Sequence, residues 1–283
     1  MPFRALLAVV AVTMTALVVA GCGGKAEPTG ALPAFPARVV DGSGAAVEIA
    51  AAPTRIVSAD PGATAILRDL GLGAAVVEAA PADVAAAASA AGTGLVVVPL
   101  ALDAAALARI EAATTAPVFR YGAAPLDDAP VLVAQLGLAV GRGPQAAAIA
   151  GRLDEGLAGV RRAAAAAPPV RTLIEGAGLT AYGPASPVGL DVAAAGGSNV
   201  VAADRPLDLA ELQGLDIAAW VSLDPGGSSL TQLRALRELA GVPAIREARW
   251  LGLPRDGLPI DAALPQALRQ LVDDLQAPPV TTG

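Results

Sequence analysis

Asp60 and Pro61 close the stretch RIVSADP, and helical spacing begins directly behind them in GATAILRDL. An aspartate at the N-cap with proline in the first helical turn is sound helix-start grammar. A helix that starts at the carboxyl end of a parallel strand also aims free backbone N–H groups at whatever occupies the neighbouring cleft. Ser58, Asp60 and Pro61 therefore read both as a cap and as a cleft wall. Arg120 and Tyr121 stand at the end of PVFRY, Tyr182 follows VRTLIEGAGLTA, and Trp250 and Arg255 belong to ARWLGLPR. Arginines at such ends pair with carboxylates or with an anionic ligand. Phenols and an indole supply flat apolar surface with one polar tip. These eight residues, Ser58, Asp60, Pro61, Arg120, Tyr121, Tyr182, Trp250 and Arg255, are the candidate ligand contacts. Phe119 and Trp220 lie mid-strand and read as core.

Bond-making chemistry finds little support. The chain has no histidine and one cysteine, which removes Ser-His-Asp and Cys-His catalysis and histidine-based metal sites. No nucleophile stands beside a base, so no residue takes a catalytic or metal-ligating role and no cofactor is expected. A carboxylate pair of Asp60 and Glu175 would reopen that question only if the two met in a pocket. Gly176-Ala-Gly178-Leu-Thr-Ala181 mimics a dinucleotide fingerprint, but Pro184 and Pro187 stop a helix from starting in register. No Walker A motif is present. The net charge is −7, without basic runs, which argues against nucleic-acid binding.

Strands and helices must position these residues. Candidate strands are 55–59, 74–80, 94–99 and 117–121, then 170–176, 217–223 and 248–254, with helical stretches between them. Strand–helix alternation with strands apolar on both sides predicts parallel sheets covered by helices. The ligand then belongs at the strands' carboxyl ends, which here are Ser58–Pro61, Pro99–Leu100, Tyr121–Gly122, Glu175–Tyr182, Asp224–Gly227 and Leu253–Arg255. The alternation breaks at an apolar stretch over 129–141, followed by one long helix over 144–167 with an Ile149, Leu153, Leu157, Val160 stripe. VVDGSGAAVEI (39–49) reads as a hairpin.

The amino terminus has its own logic. Met1–Arg4 is basic and Ala5–Ala20 is apolar, short for a membrane span and suited to a secretory signal. Val19-Ala20-Gly21-Cys22 resembles a bacterial lipobox, so lipidation is expected at Cys22 and a Gly/Pro-rich tether after it. The expected divisions are a lipoprotein signal over 1–21, tether and hairpin over 22–53, a first α/β lobe over 54–128, a helical linker over 129–167 and a second lobe over 168–283.

RIVSADPGATAILRDLGLGAAVV resembles the opening signature of the iron-chelate and vitamin B12 family of ABC-transporter binding proteins. GLAVGRGPQAAAIAGRL, AGGSNVV and VPAIREARWLGLP resemble later segments of that family in the same order, so the likeness spans about 55–275. It implies an α/β fold of two Rossmann-like lobes joined by a single long rigid helix, as in class III periplasmic binding proteins. It further implies a monomer that captures a metal chelate between the lobes and passes it to an ABC permease with its ATPase. The protein would be extracytoplasmic and lipid-anchored to the outer face of the cytoplasmic membrane. A ferric siderophore ranks first by elimination, with cobalamin and haem beside it; for haem, Tyr121 or Tyr182 could supply a phenolate. Surface acids dock the permease in this family. Glu211 is the candidate on the second lobe, although Asp208 and Glu211 also spell a capping box, and Asp103 is the candidate on the first. Two departures, Ala65 where the family carries glutamate and the missing acidic segment of the first lobe, fit an alternative: a degenerate relative serving as a surface or signalling lipoprotein.

Overall fold

Alternating apolar residues around Asp-Gly-Ser-Gly fold into the expected hairpin, β1 (Ala37–Val40) antiparallel to β2 (Ala46–Ile49). The computed structural model describes residues 34–278; the expected signal, Cys22 and the head of the tether lie outside the described residues. The hairpin packs Val39, Val47 and Ile49 into the main core. Its turn is held by Asp41, whose carboxylate accepts from the backbone N–H groups of Ser43 and Ala45 and from that of Arg120.

The branched-apolar runs that follow become β3 (Ile56–Ser58), β4 (Val76–Glu78), β5 (Leu95–Pro99) and β6 (Val118–Tyr121), all parallel, in the order β4-β3-β5-β6. Leu95, Val96, Val97 and Val98 are wholly buried, as a strand covered on both faces requires. One face (Val57, Val96, Val98) packs on α2 (Val84–Ala88) and α3 (Ala104–Ala113). The other (Ile56, Leu95, Val97, Phe119, Tyr121) packs with α1 (Pro61–Asp69) and α4 (Ala129–Ala139).

The apolar stretch that broke the alternation is α4. A turn leads from it into α5 (Gly143–Ala164), which carries proline in its first turn and buries Ile149, Leu153, Leu157 and Val160. Its 22 residues span roughly 33 Å at 1.5 Å per residue. The two helices cross closely because position 137 is glycine: a Cβ there would fall 1.9 Å from that of Ala146. Among the described residues no helix is long and apolar enough to cross a membrane.

The second lobe holds β7 (Val170–Gly176), β8 (Thr180–Ala181), β9 (Gly197–Asn199), β10 (Arg205–Pro206), β11 (Ala219–Asp224) and β12 (Trp250–Pro254). Their order is β10-β8-β7-β11-β12, with β9 also on β7; β7, β9, β11 and β12 run parallel, and β8 pairs antiparallel with both β7 and β10. The glycine-rich segment after β7 turns back as a hairpin, Gly176 opposite Thr180, and opens no helix. Around the sheet lie α6 (Pro187–Ala194), α7 (Leu209–Leu212), α8 (Leu230–Ala235), α9 (Pro243–Arg246) and α10 (Leu264–Gln276). Trp220 is fully buried in this lobe's own core. Leu264, Leu268, Leu271, Val272 and Leu275 of α10 join the stripe of α5, so one core runs from the first sheet across the spanning helix. Ala34–Gly283 forms one compact unit.

Candidate functional site

In the first sheet the chain leaves β3 toward β4 on one side and returns to β5 on the other. The loops after β3 and β5 diverge at that reversal, the place where open α/β sheets bind ligands. A cavity of about 620 Å³ opens there, within the range of small-molecule sites. The first lobe supplies Ala59–Gly62 after β3, Pro99–Leu102 after β5 and Tyr121–Ala124 after β6. The second supplies Pro187, Leu190 and Asp191 of α6 and the segment Asp256–Ile260 after β12.

That last segment straps the lobes together. Within its own lobe the Leu258 N–H donates to Asp191 Oδ2 at 2.7 Å. Across the cleft Tyr121 Oη donates to the Ile260 carbonyl at 2.8 Å. A Cβ at Gly62 would lie 2.7 Å from the Ile260 nitrogen, so the start of α1 meets the strap backbone to backbone.

The charged residues of the wall are Asp60, Asp191 and Asp256, all acidic. Asp60 caps α1, accepting from the Ala63 N–H at 2.8 Å. Burial pushes its carboxyl up to about 6, against the pull of the Ala63 and Gly62 N–H groups, and the charge of Asp256 adds to the rise. Asp191 is 2% exposed; burial raises it too to about 6, while the Leu258 N–H pulls the other way. Tyr121 is raised well above the usual phenol by burial, then by the charges of Asp60 and Asp261. A phenol 1% exposed, donating to a carbonyl and surrounded by negative charge does not offer itself as a phenolate ligand.

Asp60, Pro61 and Tyr121 thus lie on the wall, while Ser58, Arg120, Tyr182, Trp250 and Arg255 lie outside it. Ser58 sits behind, accepting from Thr64 Oγ1 at 2.8 Å and bracing the first turn of α1. Arg120 alternates with Tyr121 along β6 and so faces the other side of the sheet, where it donates to the Leu100 carbonyl. Arg255 Nη2 donates to Tyr182 Oη at 3.3 Å. Trp250 Nε1 donates to the Ser228 carbonyl at 3.0 Å, and its ring packs on the second-lobe core. Sequence reasoning missed Asp191 and Asp256. For Asp191 a signal exists: it stands between Val188 and Val192 on the buried stripe of α6, where an acid needs a reason.

The other candidates have local partners. Glu175 accepts from Ser222 Oγ, Ser228 Oγ and the Ser228 N–H, each at 2.9 Å, and does not reach the cavity to pair with Asp60. Glu211 forms a two-pronged pair with Arg205 at 2.6 and 2.8 Å, which lowers its carboxyl below the ordinary range. Asp208 caps the Ala210 N–H alone, so the Asp208–Glu211 box is not closed. A reciprocal box occurs instead at Ser229 and Gln232. Asp103 caps α3 through the Ala106 N–H. Among the described residues no cluster of His, Cys, Asp and Glu could hold a metal ion.

Comparison with solved structures finds the same fold. The apo periplasmic haem-binding protein RhuT of Roseiflexus sp. RS-1 matches with a TM-score of 0.68 at 22% identity, over 79% of this chain and all of that one. An ABC-transporter solute-binding protein of Sulfurospirillum deleyianum matches at 0.66 and 14% identity, over 86% and 89% of the two chains. CeuE of Helicobacter pylori, in a nickel–histidine complex, matches at 0.67 and 11% identity, over 85% and 88%. No protein-family model matches the chain, and no curated protein does. The chain has the two-lobed α/β fold of the class III periplasmic binding proteins.

Proposed function

We propose that this chain is the extracytoplasmic solute-binding protein of an ABC importer, holding a metal chelate between its lobes and handing it to a permease. The observation that carries the reading is the interlobe cavity at the strand-order reversal, walled by both lobes and bridged by the Asp256–Ile260 strap. The neighbours in fold support it, being periplasmic or ABC-transporter binding proteins by description. Cys22 would anchor the protein by its lipid. The chain works by binding and release. Its wall brings no nucleophile together with a base, and of its three carboxylates Asp60 stands on the first lobe and Asp191 and Asp256 on the second.

The donor set also bears on the cargo. The wall has no histidine, its one phenol is committed to Ile260, and among the described residues no carboxylates cluster closely enough to hold a metal ion, so the reading calls for a metal that arrives with its coordination already filled. That favours a ferric siderophore or cobalamin over haem, which looks to the protein for an axial ligand.

The test is calorimetric titration of residues 34–283 with a ferric trihydroxamate, cobalamin and haemin. Saturable binding of at least one is expected, and silence toward all three overturns the reading. Ala185 is exposed at the cavity mouth, so Ala185→Trp should lower affinity at least about tenfold while shifting stability by less than about 0.5 kcal/mol. An unchanged affinity would place the ligand elsewhere.

A second reading, a degenerate relative without transport, draws on Glu211 and Asp103, whose carboxylates are engaged by Arg205 and by the start of α3. Uptake of the chelate by cells carrying the wild-type chain separates the two, and Glu211→Ala then tests the docking acid. Loss of ligand uptake by cells with intact binding supports docking through Glu211, and unchanged uptake removes that acid from the docking surface.

A further inference from the structure

A wall that is apolar over most of its area holds three carboxylates and no base. The apolar part comes from Leu100, Leu102, Leu126, Leu190, Leu258 and Ile260. Both arginines that the sequence offers for an anion are turned to other partners, Arg255 to the Tyr182 hydroxyl and Arg120 to the Leu100 carbonyl. Asp191 is 2% exposed and engages only Oδ2, with the Leu258 N–H. Among the described residues no protein donor reaches its Oδ1, which is not among the buried polar atoms left without a partner and so stays open to a ligand or water on the cavity wall. Across the cleft Asp60 has its charge opposed by Asp256, with no cation on the wall to offset either. An acid site of this kind is relieved by a positive group and aggravated by a negative one, and the apolar surroundings strengthen both effects.

Resting on the interlobe-cavity reading, we propose that the cavity selects its cargo by sign of charge: it takes a metal chelate that carries a cationic arm, received by Asp191, Asp60 and Asp256, and it rejects polyanionic chelates. The arm is an ammonium or amidinium, because those groups donate hydrogen bonds as well as charge. Ferric triscatecholates and haem, which present several negative charges, find no partner there.

The experiment holds the chelate constant and changes only the arm. One linear ferric trihydroxamate is used in three forms, with a free ammonium, with that amine acetylated and with it succinylated to a carboxylate. Each is titrated into residues 34–283 at about pH 8 and about pH 5, the two sides of the Asp60 and Asp191 titration. The expected order at the higher pH is ammonium, acetyl, succinyl, with about tenfold between neighbours, and the spread should narrow at the lower pH. Asp191→Asn keeps an acceptor for the Leu258 N–H and should cost the ammonium form about tenfold while leaving the acetylated form within about twofold. Thermal melts of the same samples show that the variant is folded.

Equal affinity for the three forms, or tightest binding of the succinylated one, overturns charge selection and leaves the cavity reading standing. Failure of all three to bind also overturns it, and cobalamin or haemin in the preceding titration then shows whether the cavity reading survives. An Asp191→Asn variant that weakens all three forms alike would make the residue structural and overturn its role as receiver of the arm.

Discussion

Asp191 is the residue at which stability and binding pull in opposite directions. Its carboxyl stands at about 6 against an ordinary 3.8, so the folded chain holds this proton more tightly than the unfolded chain. Stability is therefore highest while the folded form is protonated, declines as pH rises from about 4 to about 6, and stays reduced above that. Asp60, also at about 6, adds a decline of the same sign in the same window. Two units correspond to roughly 3 kcal/mol at most for each group. Asp191→Asn removes the charge and retains the Leu258 contact. It should raise Tm at about pH 8 by several degrees, for a gain of about 2 kcal/mol, and give no gain at about pH 4; circular dichroism melts at the two pH values check this. At residue scale the sequence was legible where one local rule decided, as for Asp60, whose cap and cleft roles both follow from its place before Pro61. It was less legible where partners came from afar. Arg120 and Tyr121 are neighbours in sequence, yet the two-residue period of a strand sends them to opposite faces. Glu211 had a local option at Asp208 and took the guanidinium of Arg205, since a two-pronged charged pair outbids a single backbone donor.

Among the elements, long and strongly patterned ones were readable. The β7 range of 170–176 was anticipated to the residue, and α5 ends three residues before the expected 167 because the chain turns ahead of Pro168. Helix α4 was visible only as an apolar stretch. Seven of its residues are buried, and its exposed positions Val131 and Leu138 are apolar too, so it has no polar face to reveal its period. The two- and three-residue strands β8, β9 and β10 and the short helices α2 and α9 are too brief to carry any periodicity. Strands β8 and β9 are placed by pairing with β7 and β10 by pairing with β8, while α2 packs on the first sheet and α9 on the second. The crossing of α4 on α5 depends on one missing methyl group. Gly137→Ala should destabilise the fold by about 1–3 kcal/mol, because Ala146 is itself buried and cannot yield. A urea midpoint that falls with an unchanged slope confirms this, and an unchanged midpoint would mean that the helices slide apart at no cost.

For the whole molecule, the lobes share a continuous core through α5 and α10, for which the proposed lipidation site, Cys22, is not needed. Attachment and binding should separate accordingly. Cys22→Ser is expected to move the protein from the membrane fraction to the soluble one with chelate affinity unchanged; retention in the membrane fraction would show that the leader stays on and anchors the chain itself. The strap has a different consequence. With Ile260 held by Tyr121 and set against Gly62, a carrier working as proposed would present nearly the same outline to its transporter whether vacant or loaded. Such a transporter would have to sense cargo at the cleft mouth, and vacant carriers would occupy its docking face unproductively. Import should pass through a maximum as the abundance of this protein rises past that of its chelate, so a cell gains from making no more of it than the cargo can fill.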